Sequence, residues 1–386
     1  MTWHIITGEY PNQSGGVSDY TRQLAIGLAA EGDEIHVWAP DFPGSTAIDS
    51  GIFVHRMPDR FGRRTLRLLA KTFDLWEGPN RILVQYVPHS FGFKAMNFLF
   101  ARWLIHRKQP VWVMFHEVAY PWYRGQKLKH QLLGWATSRM ARWIATAAER
   151  IFISIPSWQE RLTLIAPRCR PAEWLPVPSV VPTGDGNECP VTVRSQFGIP
   201  AGATVLGHFG TYGSLVTDLL TPILQACLAK STDRHVLLVG RNSTRYAEDF
   251  KAFAGRVHHA ENVPAEQLSN LLAACDVMIQ PYPDGLSTRR TSLMASMAIG
   301  RPIVSNHSIL SEPFWLESGA VFLTCGTSTD DLIALAEKCL ANPALRGETG
   351  TRARQLYVAR FSLNHTIDVL RQHAGADDRQ SASCPN

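Results

Sequence analysis

The sequence predicts an α/β chain made of two Rossmann-like, doubly wound parallel-sheet domains that face each other across a cleft. Three observations lead there. Short apolar runs alternate with helix-period segments from end to end, which is how parallel βαβ units read in sequence. The 386 residues, 45% hydrophobic and 18% charged, are enough for two ordinary cores. A proline-rich segment near the middle, which neither a helix nor a central strand tolerates, divides two similar series of elements.

In the first half, strands are predicted at HIITG (4–8), EIHVWA (34–39), FVHRM (53–57), ILVQYV (82–87), VWVMFH (111–116) and IFISI (151–155). Helices fall between them near 17–31, 62–75, 93–108, 126–148 and 157–165. The first carries Val17, Tyr20, Leu24 and Leu28 at spacings of three and four, so one face packs on a sheet. The segment LPVPSVVPTGDGNECPV (175–191) holds four prolines, and the interdomain linker is set at 179–192. The second series has strands at TVLGHFG (204–210), HVLLVG (235–240), VHHAENV (257–263), VMIQPY (277–282), PIVSN (302–306) and AVFLT (320–324). The domains then span 1–178 and 193–361, and the polar stretch 375–386 reads as a disordered tail.

Ligands of open parallel sheets sit beyond the carboxyl ends of the strands, where strand order reverses. Two such domains face to face put a site on each lip, which suits an enzyme joining two substrates. A net charge of +5 and a pI near 8.8 are modest, and the 38 basic residues are spread along the chain, so nucleic acid is not demanded. An anionic small molecule or an acidic lipid surface satisfies the balance. Seven cysteines without a C-x-x-C pair argue against a disulfide framework or structural zinc, and for a reducing cytoplasm. The start, MTWHIITGEYP, has neither the basic leader nor the apolar run of a signal peptide, and no stretch approaches the ~20 apolar residues of a spanning helix. The expectation is a cytoplasmic chain, soluble or peripheral at the inner face of the membrane.

Four stretches carry chemistry. In TGEYPNQSGGVSDYTRQLA, the Gly15-Gly16 pair before a helix allows close backbone approach to an anion; the same residues also suit a plain βα loop with Ser18 or Asp19 as N-cap. In QPYPDGLSTRRTSLMASMAIGRPIVS, Ser287 or Thr288 can cap a helix whose first turn holds Arg289 and Arg290. Positive charge there opposes the helix dipole, which makes sense beside a bound polyanion, or else the arginines pair with Asp284 across the turn. His116 and Glu117 end a buried strand and His89 follows another; a neutral His116 suits donation to a sugar hydroxyl, or a purely structural bond. Stretches 60–73 and 91–108 mix Arg and Lys with Leu, Phe and Trp at helical spacing, compatible with an anionic bilayer or with packing on the sheet. No H-E-x-x-H, Walker loop or Asp-x-Asp occurs, so no metal is expected.

With these residues in view, the chain resembles the family 4 retaining glycosyltransferases of the GT-B fold, over nearly its whole length. GGVSDYTRQLAIGLAAEGDEIHVWAP looks like the family's Gly-Gly loop, helix and second strand; NVPAEQLSNLLAACDVMIQPYPDG with LMASMAIGRPIVS looks like its donor region. The resemblance implies transfer of a sugar from a nucleotide diphosphate donor to a saccharide or lipid-linked acceptor, in cell-surface polysaccharide or glycolipid synthesis, without a cofactor. It also implies a C-terminal helix at 362–374 that crosses back to the first domain. The chain departs from the family where two glutamates usually stand: Ser287 and Ala295 occupy those positions. The expected roles are then catalytic for His116, Arg289 and Arg290. Donor binding falls to Gly15, Gly16, Gly210, Arg241, Asp284, Ser287 and Thr288, and acceptor binding to His89 and Glu117. An epimerase, or a non-catalytic binding protein that has lost the glutamate pair, remains the alternative.

Overall fold

The computed structural model describes residues 1–13, 15–44, 48–49, 51–121, 123, 125–182 and 188–382. The chain forms two compact units: Met1–Pro176 together with everything from Leu363 onward, and Val177–Ser362. Part of the expected linker, 183–187, lies outside the described residues; Val177 to Pro182 belong to the second unit.

The first unit is built on strands β1 (Thr2–Thr7), β2 (Glu34–Pro40), β3 (Ile48–Asp49), β4 (Ile52–Met57), β5 (Asn80–Tyr86), β6 (Val111–Phe115), β7 (Arg150–Ile153) and β8 (Ala172–Trp174). They form one sheet in the order β3-β4-β2-β1-β5-β6-β7-β8, parallel throughout except for β3 against β4. The central strands are buried along their length, as the apolar runs of β1, β5 and β6 require. Between the strands run α1 (Gly16–Ala30), α2 (Arg63–Asp74), α3 (Phe98–Ile105), α4 (Leu128–Ala147) and α5 (Ser157–Ile165). Leu66, Leu69 and Phe73 of α2, Phe100 and Leu104 of α3, and Met140 and Ile144 of α4 share one core cluster, so these three helices cover the same face of the sheet.

Sequence periodicity merges 93–108 into one helix, yet the structure divides it. Phe93, Lys94 and Ala95 take left-handed backbone angles, and α3 starts only at Phe98. Asn97 explains the break: its buried side chain caps Phe100 N–H and donates to the carbonyls of Phe61 and Phe91, bonds that fix a loop where helix would otherwise run.

The C-terminal helix runs from Leu363 to Ala382, past the expected end at 374 and into the expected tail. Its anchor is Asp377, which accepts from Arg150 Nε at 3.1 Å and Nη2 at 2.5 Å, and from Arg81 Nη1 at 3.3 Å. Arg81 is buried over the Trp112 ring, and that carboxylate, with Glu149 Oε1 at 3.8 Å, balances its charge.

The second unit repeats the plan with α6 (Pro190–Gln196), β9 (Thr204–Phe209), α7 (Ser214–Lys230), β10 (Arg234–Val239), α8 (Ser243–Ala247), β11 (Val257–Ala260), α9 (Ala265–Ala273), β12 (Val277–Ile279), α10 (Thr291–Ala298), β13 (Ile303–His307), α11 (Trp315–Ser318), β14 (Phe322–Cys325), α12 (Thr329–Ala341) and α13 (Pro343–Arg360). Its sheet, entirely parallel, has the order β11-β10-β9-β12-β13-β14. Strand order reverses between β9 and β12 here, and between β1 and β5 in the first unit.

Candidate active site

Because all six strands of the second unit run the same way, their carboxyl ends share one edge, and the reversal between β9 and β12 opens a crevice there. Gln280 bridges it, its Nε2 donating to Phe209 O at 3.2 Å. Gly210 follows β9, Arg241 follows β10, and Asp284, Ser287, Thr288, Arg289 and Arg290 lie in the loop after β12, so the fold brings these residues to one edge.

The two arginines precede α10 instead of filling its first turn. Arg290 is the N-cap, at φ −87° and ψ 99°, and no side chain caps the helix from that position, neither Ser287 nor Thr288. Opposition to the helix dipole is thereby lessened. Both guanidiniums meet one carboxylate: Arg289 Nη2 donates to Asp284 Oδ2 at 2.5 Å, and Arg290 Nη2 donates to Oδ1. The Arg290 guanidinium also lies over the Tyr282 ring, 4.8 Å from its centroid. Tyr282 in turn pairs its hydroxyl with Ser292 Oγ at 2.8 Å and receives Leu293 N–H, so a phenol closes part of the α10 N-terminus.

Ser287 and Thr288 are wholly buried. The Thr288 hydroxyl, expected at the donor, is instead spent on Glu312, a residue the sequence analysis passed over. Glu312 is 3% exposed; its Oε1 accepts Thr288 N–H at 2.9 Å and Thr288 Oγ1 at 2.5 Å, and its Oε2 accepts Trp315 Nε1 at 2.7 Å. Burial pushes the Glu312 carboxyl up, and the bonds from Thr288 and Trp315 pull against that. Its tie to the arginine loop is not marked in LSEPFW, because Thr288 lies 24 residues earlier. Further bonds lash this loop to the next: Leu286 N–H to Asn306 O at 2.9 Å and Leu310 N–H to Asp284 O at 3.0 Å. Gly285, at φ +87°, fits where a Cβ would stand 2.5 Å from Ser308 N.

At the carboxyl edge of the first unit's sheet, Gly15 is the N-cap of α1, displacing the expected Ser18 or Asp19; Ser18 Oγ donates to Gln13 O at 2.6 Å instead. The site expected for an anion holds the chain's own: the Glu9 carboxylate accepts the N–H groups of Val17 and Ser18, and a Cβ on Gly15 would sit 2.9 Å from its oxygens. Burial nevertheless raises Glu9, the nearby His89 lowers it and Glu117 raises it, so these three groups form one electrostatic cluster. Glu9 was legible as the residue after a strand end and before two glycines, but carried no motif.

His116 is 6% exposed, and burial lowers it to about 3, so it is neutral. Its Nε2 lies 2.8 Å from Gln85 Oε1 as donor, the Tyr20 ring meets it edge-on at 5.1 Å, and its carbonyl accepts from Ser154 Oγ and Trp158 Nε1. The structural role left open for this residue is therefore occupied, while His89 is exposed at the end of β5.

Residues 14–160 match the family model described as Glycosyltransferase Family 4, and residues 221–372 match that described as Glycosyl transferase-like. No curated protein matches the sequence. Among solved structures, sucrose-phosphate synthase from Thermosynechococcus elongatus is similar at 16% identity and TM-score 0.72, over 99% of this chain and 100% of that one. Anabaena HepE in complex with UDP is similar at 16% identity and TM-score 0.71, over 97% and 100%. WaaG, a glycosyltransferase involved in lipopolysaccharide biosynthesis, is similar at 15% identity and TM-score 0.69, over 96% and 99%. Two parallel-sheet units and these likenesses give the chain the GT-B fold, and the two segments 14–160 and 221–372 match models of glycosyltransferase domains.

Proposed function

We propose that this chain transfers a sugar from a nucleotide diphosphate sugar, with retention and without a metal, to a saccharide or lipid-linked acceptor in cell-surface polysaccharide or glycolipid synthesis. The observation that carries the reading is the pair Arg289 and Arg290, held on Asp284 beside the N-terminus of α10, which Tyr282 closes only in part, at the strand-order reversal. A diphosphate offers more oxygens and more charge than one carboxylate, and planar guanidiniums suit it bidentately. In this reading Asp284 pre-aims the arginines, then yields them as charge develops on the departing diphosphate, where fixed cations and helix N–H groups stabilise it most. Retention has the acceptor hydroxyl attack from the side of the leaving group, whose phosphate oxygen takes the proton. The acceptor is assigned to His89 and Glu117 at the edge of the first unit. That HepE binds UDP and WaaG serves lipopolysaccharide synthesis supports, by likeness of fold, a uridine donor and a lipid-linked acceptor.

The test is a donor screen over uridine, guanosine and adenosine diphosphate sugars, followed by Arg289→Ala and Arg290→Ala. Each variant is expected to lose about a hundredfold or more in kcat/KM with an unchanged unfolding midpoint. Unchanged turnover in both refutes the assignment. Calorimetry that finds no nucleotide diphosphate bound argues for the non-catalytic alternative.

A further inference from the structure

The basic residues, spread along the sequence at first sight, are concentrated in one region. Between residues 60 and 148 fifteen Lys and Arg stand against three Asp and Glu, a net of +12 where the whole chain has +5, so the remainder is at −7. That region contributes α2, α3 and α4, of 12, 8 and 20 residues, which lie on one face of the sheet and carry a single carboxylate, Asp74 at the very end of α2. Their outer faces expose Arg63, Arg67, Lys71, Arg102, Arg139 and Arg142.

An apolar ridge lies in this cationic field. Leu128, Leu132 and Trp135, at spacings of four and three along α4, are 82%, 55% and 61% exposed, and Lys127 and Lys129 flank the first. Phe98 of α3 backs the ridge, its ring 6.1 Å from that of Trp135 and 5.8 Å from that of Trp143. In a parallel βα unit each helix begins at the carboxyl edge of the preceding strand. The Leu128 end of α4 therefore sits at the edge that carries His89, His116 and Glu117, and exposed Phe93 and Lys94 follow β5 at the same edge.

We propose that the outer faces of α2, α3 and α4 dock on an anionic phospholipid bilayer, with Leu128, Leu132 and Trp135 entering the headgroup boundary. Apolar side chains ringed by Lys and Arg, on helices whose one carboxylate stands at the end of α2, match such a surface in both terms, insertion and charge. Among the described residues no helix is long and apolar enough to cross a membrane, so the attachment is interfacial. The stretches 60–73 and 91–108 supply the charge, whereas α4, not singled out by the sequence, supplies the ridge. This docking goes beyond the sugar-transfer reading and does not depend on it, because vesicle binding is read without donor or acceptor.

The experiment is co-sedimentation of the full chain with vesicles of phosphatidylcholine alone, and of three parts phosphatidylcholine to one part phosphatidylglycerol. Binding is expected to the mixed vesicles only, and to weaken as salt is raised. Leu132→Ser/Trp135→Ser should lower partitioning by about tenfold or more. Arg63→Glu/Arg67→Glu/Arg102→Glu should do the same through charge; all five positions are exposed, so the unfolding midpoint is expected to hold. Should one variant fail to fold, the other decides. Sedimentation that ignores lipid charge, absence from both vesicle types, parental binding by both folded variants, or a preference for duplex DNA over mixed vesicles overturns the proposal.

Discussion

Replacing Glu312 by alanine tests whether a buried carboxylate holds the arginine loop. The substitution removes the acceptor of three donors: Thr288 N–H at 2.9 Å, Thr288 Oγ1 at 2.5 Å and Trp315 Nε1 at 2.7 Å. The hydroxyl can turn to another acceptor, but the amide and indole N–H groups are fixed, and each buried donor left unpaired costs about 1–3 kcal/mol. Against that about 2–6 kcal/mol stands the relief of no longer burying a carboxylate, which is why its pKa is raised. The net expectation is a loss of about 2–4 kcal/mol. Chemical unfolding measures the loss, and amide exchange at 284–290 locates it, with Thr288 N–H expected to lose protection first. A loss below about 0.5 kcal/mol, the range of an ordinary surface change, with Thr288 exchange unaltered, would refute the idea that Glu312 positions this loop.

Gly285→Ala places a Cβ 2.5 Å from Ser308 N at a backbone angle of φ +87°; it should cost about 1–3 kcal/mol and reduce transfer more than it reduces stability, read as a fall in kcat/KM at intact far-ultraviolet dichroism. Acid should weaken the first unit through buried histidines. Burial, then the neighbouring His36 and His55, lowers His4 to about 3, and burial lowers His116 to about 3. Their stability is whole above the unfolded value near 6.5 and is lost as pH falls from there toward about 3, at about 2 kcal/mol per histidine by pH 5, measurable as a falling midpoint in a pH series of melts. Asp377→Ala removes the carboxylate that joins the C-terminal helix to Arg81 and Arg150, and the end of that helix should become the first site of limited proteolysis while the rest of the chain resists.

Periodicity determined the two-unit α/β plan and nearly every central strand, because burial on both faces forces apolar runs into β1, β5, β6, β9 and β10 whatever their partners are. The loops at the carboxyl edges were also legible, since Gly285 and the Arg289-Arg290 pair are defined by their own local chemistry. Partnerships were not. Whether Arg289 and Arg290 face solvent or Asp284, that Glu9 occupies the end of α1, that Asn97 cuts a helix in two and that Glu312 takes up Thr288 all depend on hydrogen bonds between residues the fold brings together, and a buried polar group takes whichever partner packing supplies. The ridge of α4 belongs to the same class: packing turns Met140 and Ile144 inward and leaves Leu128, Leu132 and Trp135 outside.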